Sequence, residues 1–316
     1  MSPCLSVVIP VYNADKYLSA CLDSLLSAED IGDAEIIMID DGSSDLSGSI
    51  ADDYAVRYGN IHVFHQGNKG AGAARNYGIN KASGKYIFFL DSDDRVDTAL
   101  FNRVIEKTRS VSVDVIMWDC GLNYETGNLL SRKDPAYFAH CGLDRTEMTY
   151  TGKQVVEILN TKGKGLIASV CFGAYRREFL VDNNLYLEDG IIYEDELWVP
   201  RVYLEAQSVL YMPEKVYLYR VHNDSVTNPD PEGLEKNVKT LMYVYPSLYQ
   251  YYDSVLAGDP LREIVEGNLT KRYLHMIYKY RFWRYECGKD IDRKKLWETS
   301  RKLIHKAMVL LLNLFV

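Results

Sequence analysis

Tyr86-Ile87-Phe88-Phe89-Leu90-Asp91-Ser92-Asp93-Asp94 is the stretch on which the fold turns. Five apolar residues stop abruptly at three carboxylates, as a strand buried on both faces does where it reaches a polar edge. Working outward, Leu5 to Val11, Glu35 to Ile39 and Ile61 to Phe64 are further strand-like runs, and Val113 to Trp118 is another. Helical spacing fills the gaps: Leu18, Leu22, Leu25 and Leu26, then Leu46, Ile50 and Tyr54, then a short helix over Ala73 to Lys81, then Leu100 and Val104. Strands alternating with helices predict an α/β fold, a doubly wound and mostly parallel sheet with both faces covered. Sheets of this kind bind ligands beyond the carboxyl ends of their strands. The polar residues that end each run are Tyr12-Asn13, Asp40-Asp41-Gly42-Ser43, Gln66 to Arg75 and Asp91 to Asp94. Four polar strand ends on one edge make a site.

Composition narrows the chemistry. The 316 residues are 47% hydrophobic and 25% charged, enough for a sizeable core without a structural metal or disulfide. A net charge of −8 argues against a nucleic-acid binder, which needs a basic surface to neutralise phosphate. The six cysteines, Cys4, Cys21, Cys120, Cys141, Cys171 and Cys287, show no C-x-x-C pair and are expected to be reduced thiols of a cytoplasmic protein. No signal peptide is expected at Met1-Ser2-Pro3-Cys4, and no apolar run approaches the ~20 residues that span a bilayer.

Each strand end suggests a role and an ordinary structural alternative. Asp91, Ser92, Asp93 and Asp94 crowd three carboxylates, and Mn²⁺ or Mg²⁺ relieves such crowding while bridging to a diphosphate. The alternative is a turn that caps the helix after it. Asp40 or Asp41 can accept hydrogen bonds from a base or ribose, or can close a turn. Small residues in Asn68-Lys69-Gly70-Ala71-Gly72-Ala73-Ala74-Arg75-Asn76 allow close backbone approach to a ligand, and Lys69 and Arg75 can pair with phosphate. There is neither a Walker loop nor a G-x-G-x-x-G after the first strand, which counts against a P-loop nucleotidase and a dehydrogenase.

Ser6-Val7-Val8-Ile9-Pro10-Val11-Tyr12-Asn13, the Asp40 to Ser43 turn, Gly70 to Asn76 and Asp91 to Asp94 resemble, in order and spacing, the motifs of family 2 glycosyltransferases with the GT-A fold. The match is dense over residues 4–100 and thinner to about residue 226. The resemblance implies nucleotide contacts from Pro10, Tyr12, Asp41 and Arg75, with Asp91 and Asp93 at the ribose, metal and diphosphate. Asn13, Asp40, Lys69 and Ser92 join the expected nucleotide-sugar site, the split between Asp40 and Asp41 being open. The family usually carries its catalytic base in a Glu-Asp pair, which Tyr193-Glu194-Asp195-Glu196 resembles; Asp195 is the expected base and Glu194 its competitor. Tyr219-Arg220-Val221-His222-Asn223-Asp224-Ser225 is similar to a later family segment, so that Arg220 would reach the diphosphate and His222 the metal. A helix N-cap with an acidic first turn is the plain alternative for Glu194-Asp195.

The remaining chain is less explicit. Gly121 to Leu166 reads as a loop-rich insertion, Ser169 to Tyr175 as a strand, Arg176 to Val181 as the start of a helix, Leu197 to Ala206 as a helix, and Val209 to Arg220 as a strand or hairpin. After Pro231 the pattern is helical. Tyr273, Leu274, Ile277 and Tyr280 form a stripe among Lys271, Arg272, Lys279, Arg281 and Arg284. A packed helical hairpin, on the core or on a second subunit, is preferred there over a membrane surface, and Met308 to Val316 is expected to be buried or to mediate contact. The domain expectation is a transferase domain over 1–226, with a nucleotide-binding half (1–100) and an acceptor-side half (101–226), and a helical extension over 227–316. The functional expectation is a metal-dependent transferase moving a sugar from a nucleoside diphosphate donor, a UDP-sugar, to a glycan or lipid-linked acceptor hydroxyl. Inversion at the anomeric carbon follows from the resemblance. The absence of Q-x-x-R-W points to single additions, in the cytoplasm or at the inner face of the membrane. A sugar-1-phosphate nucleotidyltransferase and a non-catalytic nucleotide-sugar binder are the alternatives; the former calls for a Gly-rich, Arg-bearing loop where this chain has Pro10-Val11-Tyr12-Asn13.

Overall fold

The computed structural model describes residues 2–124, 139–162, 165–221 and 231–314. The alternating pattern becomes β1 (Leu5–Val11), α1 (Asp15–Leu26), β2 (Ala34–Asp40), α2 (Ser47–Arg57), β3 (Ile61–His65), α3 (Ala71–Lys81) and β4 (Tyr86–Phe89). Next come β5 (Arg95–Val96), α4 (Thr98–Ser110), β6 (Val115–Tyr124), β7 (Met148–Tyr150), α5 (Gly152–Thr161), β8 (Gly173–Arg176), α6 (Arg177–Asp182), α7 (Glu194–Glu205) and β9 (Val209–Val221). Among the described residues they form one sheet in the order β3-β2-β1-β4-β8-β6-β9-β5, with β7 also on β9. β1 pairs parallel with β2 and β4, β2 with β3, and β6 with β9; β8, β5 and β7 pair antiparallel. The mostly parallel α/β sheet expected from the sequence is therefore present, with β8 inserted antiparallel between β4 and β6.

The core explains why β1, β2 and β4 are apolar throughout. Alternate residues of a strand face opposite sides of a sheet. On one side Phe88 meets Trp118 edge-on at 5.1 Å and lies 6.0 Å from Phe101; on the other, Phe89 meets Trp198, which in turn sits 4.8 Å from Tyr175. Burying each such ring is worth roughly 1.5–3 kcal/mol. Helix α3 lies so close to β1 that a Cβ at Gly78 would sit 2.2 Å from a Val8 methyl. Only glycine permits that approach, and it seats α3 against the middle of β1.

Several elements depart from the sequence reading. Leu46 is 65% exposed and precedes α2, whose buried face is Ala51 and Tyr54. The loop-rich insertion contains α5, anchored by buried Val155, Val156 and Leu159 and opened by a reciprocal cap: Gln154 N–H donates to Thr151 Oγ, and Thr151 N–H to Gln154 Oε. The strand expected from Ser169 begins at Gly173. Helix α7 starts at Glu194, three residues before the expected Leu197, while β9, expected as a strand or hairpin, is a single 13-residue strand.

The chain divides into two compact units, one of Met1–Val156 with Ile167–Asn223 and another of Glu157–Leu166 with Asp224–Val316. The second is helical: α8 (Pro231–Val255), α9 (Leu261–Tyr280), α10 (Arg293–Thr299) and α11 (Leu303–Leu312). Tyr245 of α8 stacks on Tyr273 of α9 with ring centroids 4.4 Å apart, and Lys295 of α10 pairs with Glu266 and Asp253. Tyr273, Leu274 and Ile277 of the expected stripe are buried. Among the described residues no helix is long and apolar enough to cross a membrane.

Candidate active site

Parallel pairing brings the carboxyl ends of β1, β2 and β4 to one edge, with Val11 opposite Asp40 and Val8 opposite Phe89. The β1 and β2 ends are tied to each other. Asn13, at a positive φ of 47°, accepts from Ser44 N–H through its side-chain oxygen at 2.8 Å, and its own N–H donates to Ser43 Oγ. Tyr12 stands out at 52% exposure, and Pro10 is half-buried.

Asp40 and Asp41 point into the protein. Asp40 accepts from Ser43 N–H at 3.0 Å and meets His65 Nδ1 at 2.8 Å. Burial raises its pKa, but the Ser43 and His65 hydrogen bonds outweigh that and hold it below the usual carboxylate value. The His65 imidazole is pushed up by Asp40 and then by Asp52, against the effect of partial burial. Asp41 accepts from Lys69 N–H and Gly70 N–H, both at 2.8 Å, and from the Gln66 amide at 2.7 Å. Its carboxylate shapes the loop that leads into α3. Lys69 itself is exposed.

The β4 end is built differently. Arg75 of α3 is buried, and its guanidinium reaches Asp91 at 2.7 Å with one nitrogen and Glu194 at 2.5 Å with the other. Asp91 keeps 36% side-chain exposure. Asn76, the next residue of α3, donates to Leu187 O and Asp189 and accepts from Leu187 N–H, fixing the segment before α7. A Cβ at Gly72 would stand 2.9 Å from Glu188 O and 3.2 Å from Glu194 Cγ. The expectation that these small residues admit a ligand is corrected at Gly72: they admit the start of α7. Arg75 and Asn76 thereby draw Asp91 and the Glu194-Asp195 pair into one place.

Within the acidic quartet the three carboxylates have separate fates. Asp94 is buried, accepts from Arg220 N–H at 2.6 Å and from Tyr217 O–H, and its pKa is pushed well above the usual range by burial and by the neighbouring Asp93 and Asp91. The crowding is thus relieved in part by the protein itself. Helix capping, the ordinary alternative for this cluster, falls to Asp97, which accepts from Leu100 N–H at the start of α4. Ser92 is buried, and Arg220 donates from Nε to the Asp93 main-chain oxygen while its guanidinium lies 5.0 Å from the Tyr17 ring centroid. His222 lies outside the described residues.

Asp195 sits in the first turn of α7, half-buried, and accepts from Glu196 N–H at 2.9 Å. Burial of its carboxyl, then the adjacent Glu194 and Glu196 charges, push its pKa well above the usual carboxylate range, opposed by Arg75. A carboxylate of raised pKa is a stronger base. Glu194, held by Arg75, is the less available of the two.

Among the described residues no three His, Cys, Asp or Glu side chains are gathered as a preformed cage for a metal. Asp91 and Asp93 nonetheless offer hard oxygen donors two positions apart beside a half-open edge. One or two carboxylates, with water and substrate phosphates completing the shell, are the donor set that Mg²⁺ takes. The residues present fit such an ion.

Sequence reasoning missed three contributors to the site, Tyr217, Cys21 and Cys171. Tyr217, hidden in an apolar strand, buttresses Asp94. Cys21 donates to Asp91 O at 3.6 Å, and Cys171 lies close to Asp91 and Arg75; burial pushes both thiols up, so they are neutral filling rather than nucleophiles. Away from these residues, the sequence reading also passed over Asp119, at a register shift in β6, fully buried and accepting from His140, Arg145 and Tyr211. Only its position in an apolar run marked it.

The profile described as "Glycosyl transferase family 2" matches residues 6–182. The chain is 31% identical over 310 residues to the "Uncharacterized glycosyltransferase EpsJ" of Bacillus subtilis, covering 98% of this chain and 87% of that protein. Among solved structures, S. aureus TarS 1–349 in complex with UDP-GlcNAc superimposes with a TM-score of 0.64 at 18% identity, covering 97% of this chain and 78% of that one. The mannosyltransferase PcManGT from Pyrobaculum calidifontis, in complex with GDP-Man and Mn²⁺, gives 0.55 at 13% identity, covering 100% and 88%. At these identities the structural likeness speaks for the fold alone.

Proposed function

Because the chain belongs to glycosyl transferase family 2, we propose that it moves one sugar at a time from a UDP-sugar to an acceptor hydroxyl, with a divalent cation at Asp91 and Asp93 and Asp195 as general base. The observation that carries this reading is the Arg75 bridge, which joins the acidic end of β4 to the acidic start of α7 although Arg75 and Glu194 lie 119 positions apart. Residues 1–100 supply the nucleotide half, residues 101–226 the acceptor half, and residues 227–316 a helical extension.

In this reading Pro10, Tyr12, Asn13 and Lys69 face the nucleotide, while Asp40 and Asp41 hold the walls and offer the base any accepting capacity that remains. Asp91 and Ser92 stand at the ribose and diphosphate, and Arg220 beside the diphosphate. Mn²⁺ or Mg²⁺, when bound, neutralises charge developing on the departing nucleoside diphosphate. Asp91 and Asp93 would hold that ion, with His222 as a further ligand. Asp195 takes the proton from the acceptor oxygen as it attacks the anomeric carbon, and its raised pKa places the rising limb of the rate above the ordinary carboxylate value of about 3.9. The single displacement inverts the anomeric centre. The acceptor is a glycan or lipid-linked acceptor of surface polysaccharide synthesis, and six cysteines of which none is in a disulfide support a reducing, cytoplasmic setting. Family membership sets aside the nucleotidyltransferase alternative.

Incubation with a panel of nucleotide sugars, with Mn²⁺ or with chelator, tests the proposal. Metal-dependent release of UDP, accelerated by acceptor, is expected. Undiminished release in chelator would remove the metal role, and tight donor binding with no turnover under any condition would leave only a binding protein.

A further inference from the structure

Helix α11 shows two unlike faces. Val309 and Leu312 are buried, and the helix is fastened from α9 by Tyr278, whose hydroxyl donates to Met308 O at 2.6 Å. The opposite face is Leu303, Ile304, Ala307, Leu310 and Leu311, continuing to Leu314, and all six are exposed, the five larger side chains from 48% at Leu311 to 87% at Leu303. At 100° per residue these positions fall on one stripe. A contiguous apolar stripe in water is unfavourable and marks a contact surface.

Charge identifies what it contacts. Residues 271–306 contain twelve of the chain's 36 Lys and Arg but four of its 44 Asp and Glu, in a protein whose net charge is −8. Lys271, Lys302 and His305 lie near one another: burial and then these two ammonium groups depress the His305 pKa. Lys306 extends over Trp297, itself 40% exposed. Exposed leucines beside a basic field suit a surface that is apolar inside and anionic at its boundary. A second copy of the chain would bring like charges together and is disfavoured by the same count.

We propose that the outer face of α11, with the basic segment 271–306, docks the protein on an anionic phospholipid surface. The apolar residues enter the headgroup boundary while Lys271 and Lys302 meet lipid phosphate. This inference stands apart from the catalytic reading, since it uses neither the donor site nor turnover.

Vesicle sedimentation with the full chain tests it, comparing phosphatidylcholine alone with phosphatidylcholine containing phosphatidylglycerol. Binding to the anionic vesicles is expected, falling in high salt as the charges are screened. The Leu303→Gln, Ile304→Gln, Leu311→Gln triple variant changes only exposed positions and should bind roughly tenfold or more weakly. Lys271→Glu with Lys302→Glu should weaken binding by about tenfold or more and leave neutral vesicles unaffected. Circular dichroism matching the wild type keeps both comparisons valid. The proposal is overturned if the full chain ignores anionic vesicles, if both variants bind as the wild type does, or if the triple variant instead dissolves a dimer of a chain that never sediments with lipid.

Discussion

Two strand ends that look alike in sequence, Asp40-Asp41 on β2 and Asp91 to Asp94 on β4, are opposite in construction. At β2 both carboxylates are buried and filled by hydrogen bonds from their own neighbourhood: Ser43, His65, Gln66, Lys69 and Gly70. At β4 one carboxylate, Asp94, is closed off by Tyr217 and Arg220, while Asp91 stays partly exposed and is balanced by a buried arginine from α3. A closed acidic pair shapes its own strand end first. An acidic cluster left partly open and held by a cation shared with a distant acid is equipped to exchange partners with a ligand. Exposure and the source of the balancing charge, rather than the number of aspartates, separate the two.

The sharpest way to break this contrast is Arg75→Ala. It leaves Glu194 buried without its partner and releases Asp91, and a broken buried pair costs about 3–5 kcal/mol. Urea unfolding should show that loss, and Arg75→Lys should restore only part of it, because one ammonium does not reproduce the two-pronged guanidinium contact. Unchanged stability in Arg75→Ala would mean the bridge holds nothing.

A smaller effect is expected at the closed end. Asp41→Ala leaves the Lys69 and Gly70 N–H groups and the Gln66 amide without their acceptor, for a loss of about 2–3 kcal/mol in the same unfolding experiment. A loss larger than that of Arg75→Ala would reverse the ranking of the two ends.

The smallest effect is the pH dependence of the Asp40–His65 contact. Asp40 is depressed, so its contribution is present above the unfolded value near 3.9 and fades as pH falls through the folded one. His65 is raised, so its contribution is full below about 6.5 and fades as pH rises through the folded value. The pair therefore stabilises most between about pH 4 and 6.5, and because His65 is half exposed the gain stays under about 1 kcal/mol. Thermal unfolding of wild type and His65→Gln across that range should show a gap that narrows toward pH 8; a gap that widens there would contradict the assignment.

The sequence carried the strands and the acidic ends because those signals are local: a buried strand must be apolar, and it must end where water begins. It could not join Arg75 to Glu194, since a separation of 119 residues says nothing about proximity. Nor could it sort Asp93 from Asp94, neighbours of the same type that the sheet edge turns to different surroundings. Tyr217 was invisible because an aromatic in an apolar strand looks like core and here is core and partner together. Helix α5 was legible in principle: Thr151 and Gln154 stand at the spacing of a reciprocal cap before Val155, Val156 and Leu159. The open face of α11 needed its neighbours, because periodicity shows that a helix has an apolar side but not which residues something else covers.

The measurement that goes straight to the central claim is Asp195→Asn, read twice: donor affinity by titration calorimetry with Mn²⁺, and the rate of acceptor-dependent UDP release. The account predicts donor binding close to that of the wild type and a rate lower by about 10²–10⁴-fold. Donor affinity lost in step with the rate, or a rate that survives the substitution, would contradict it.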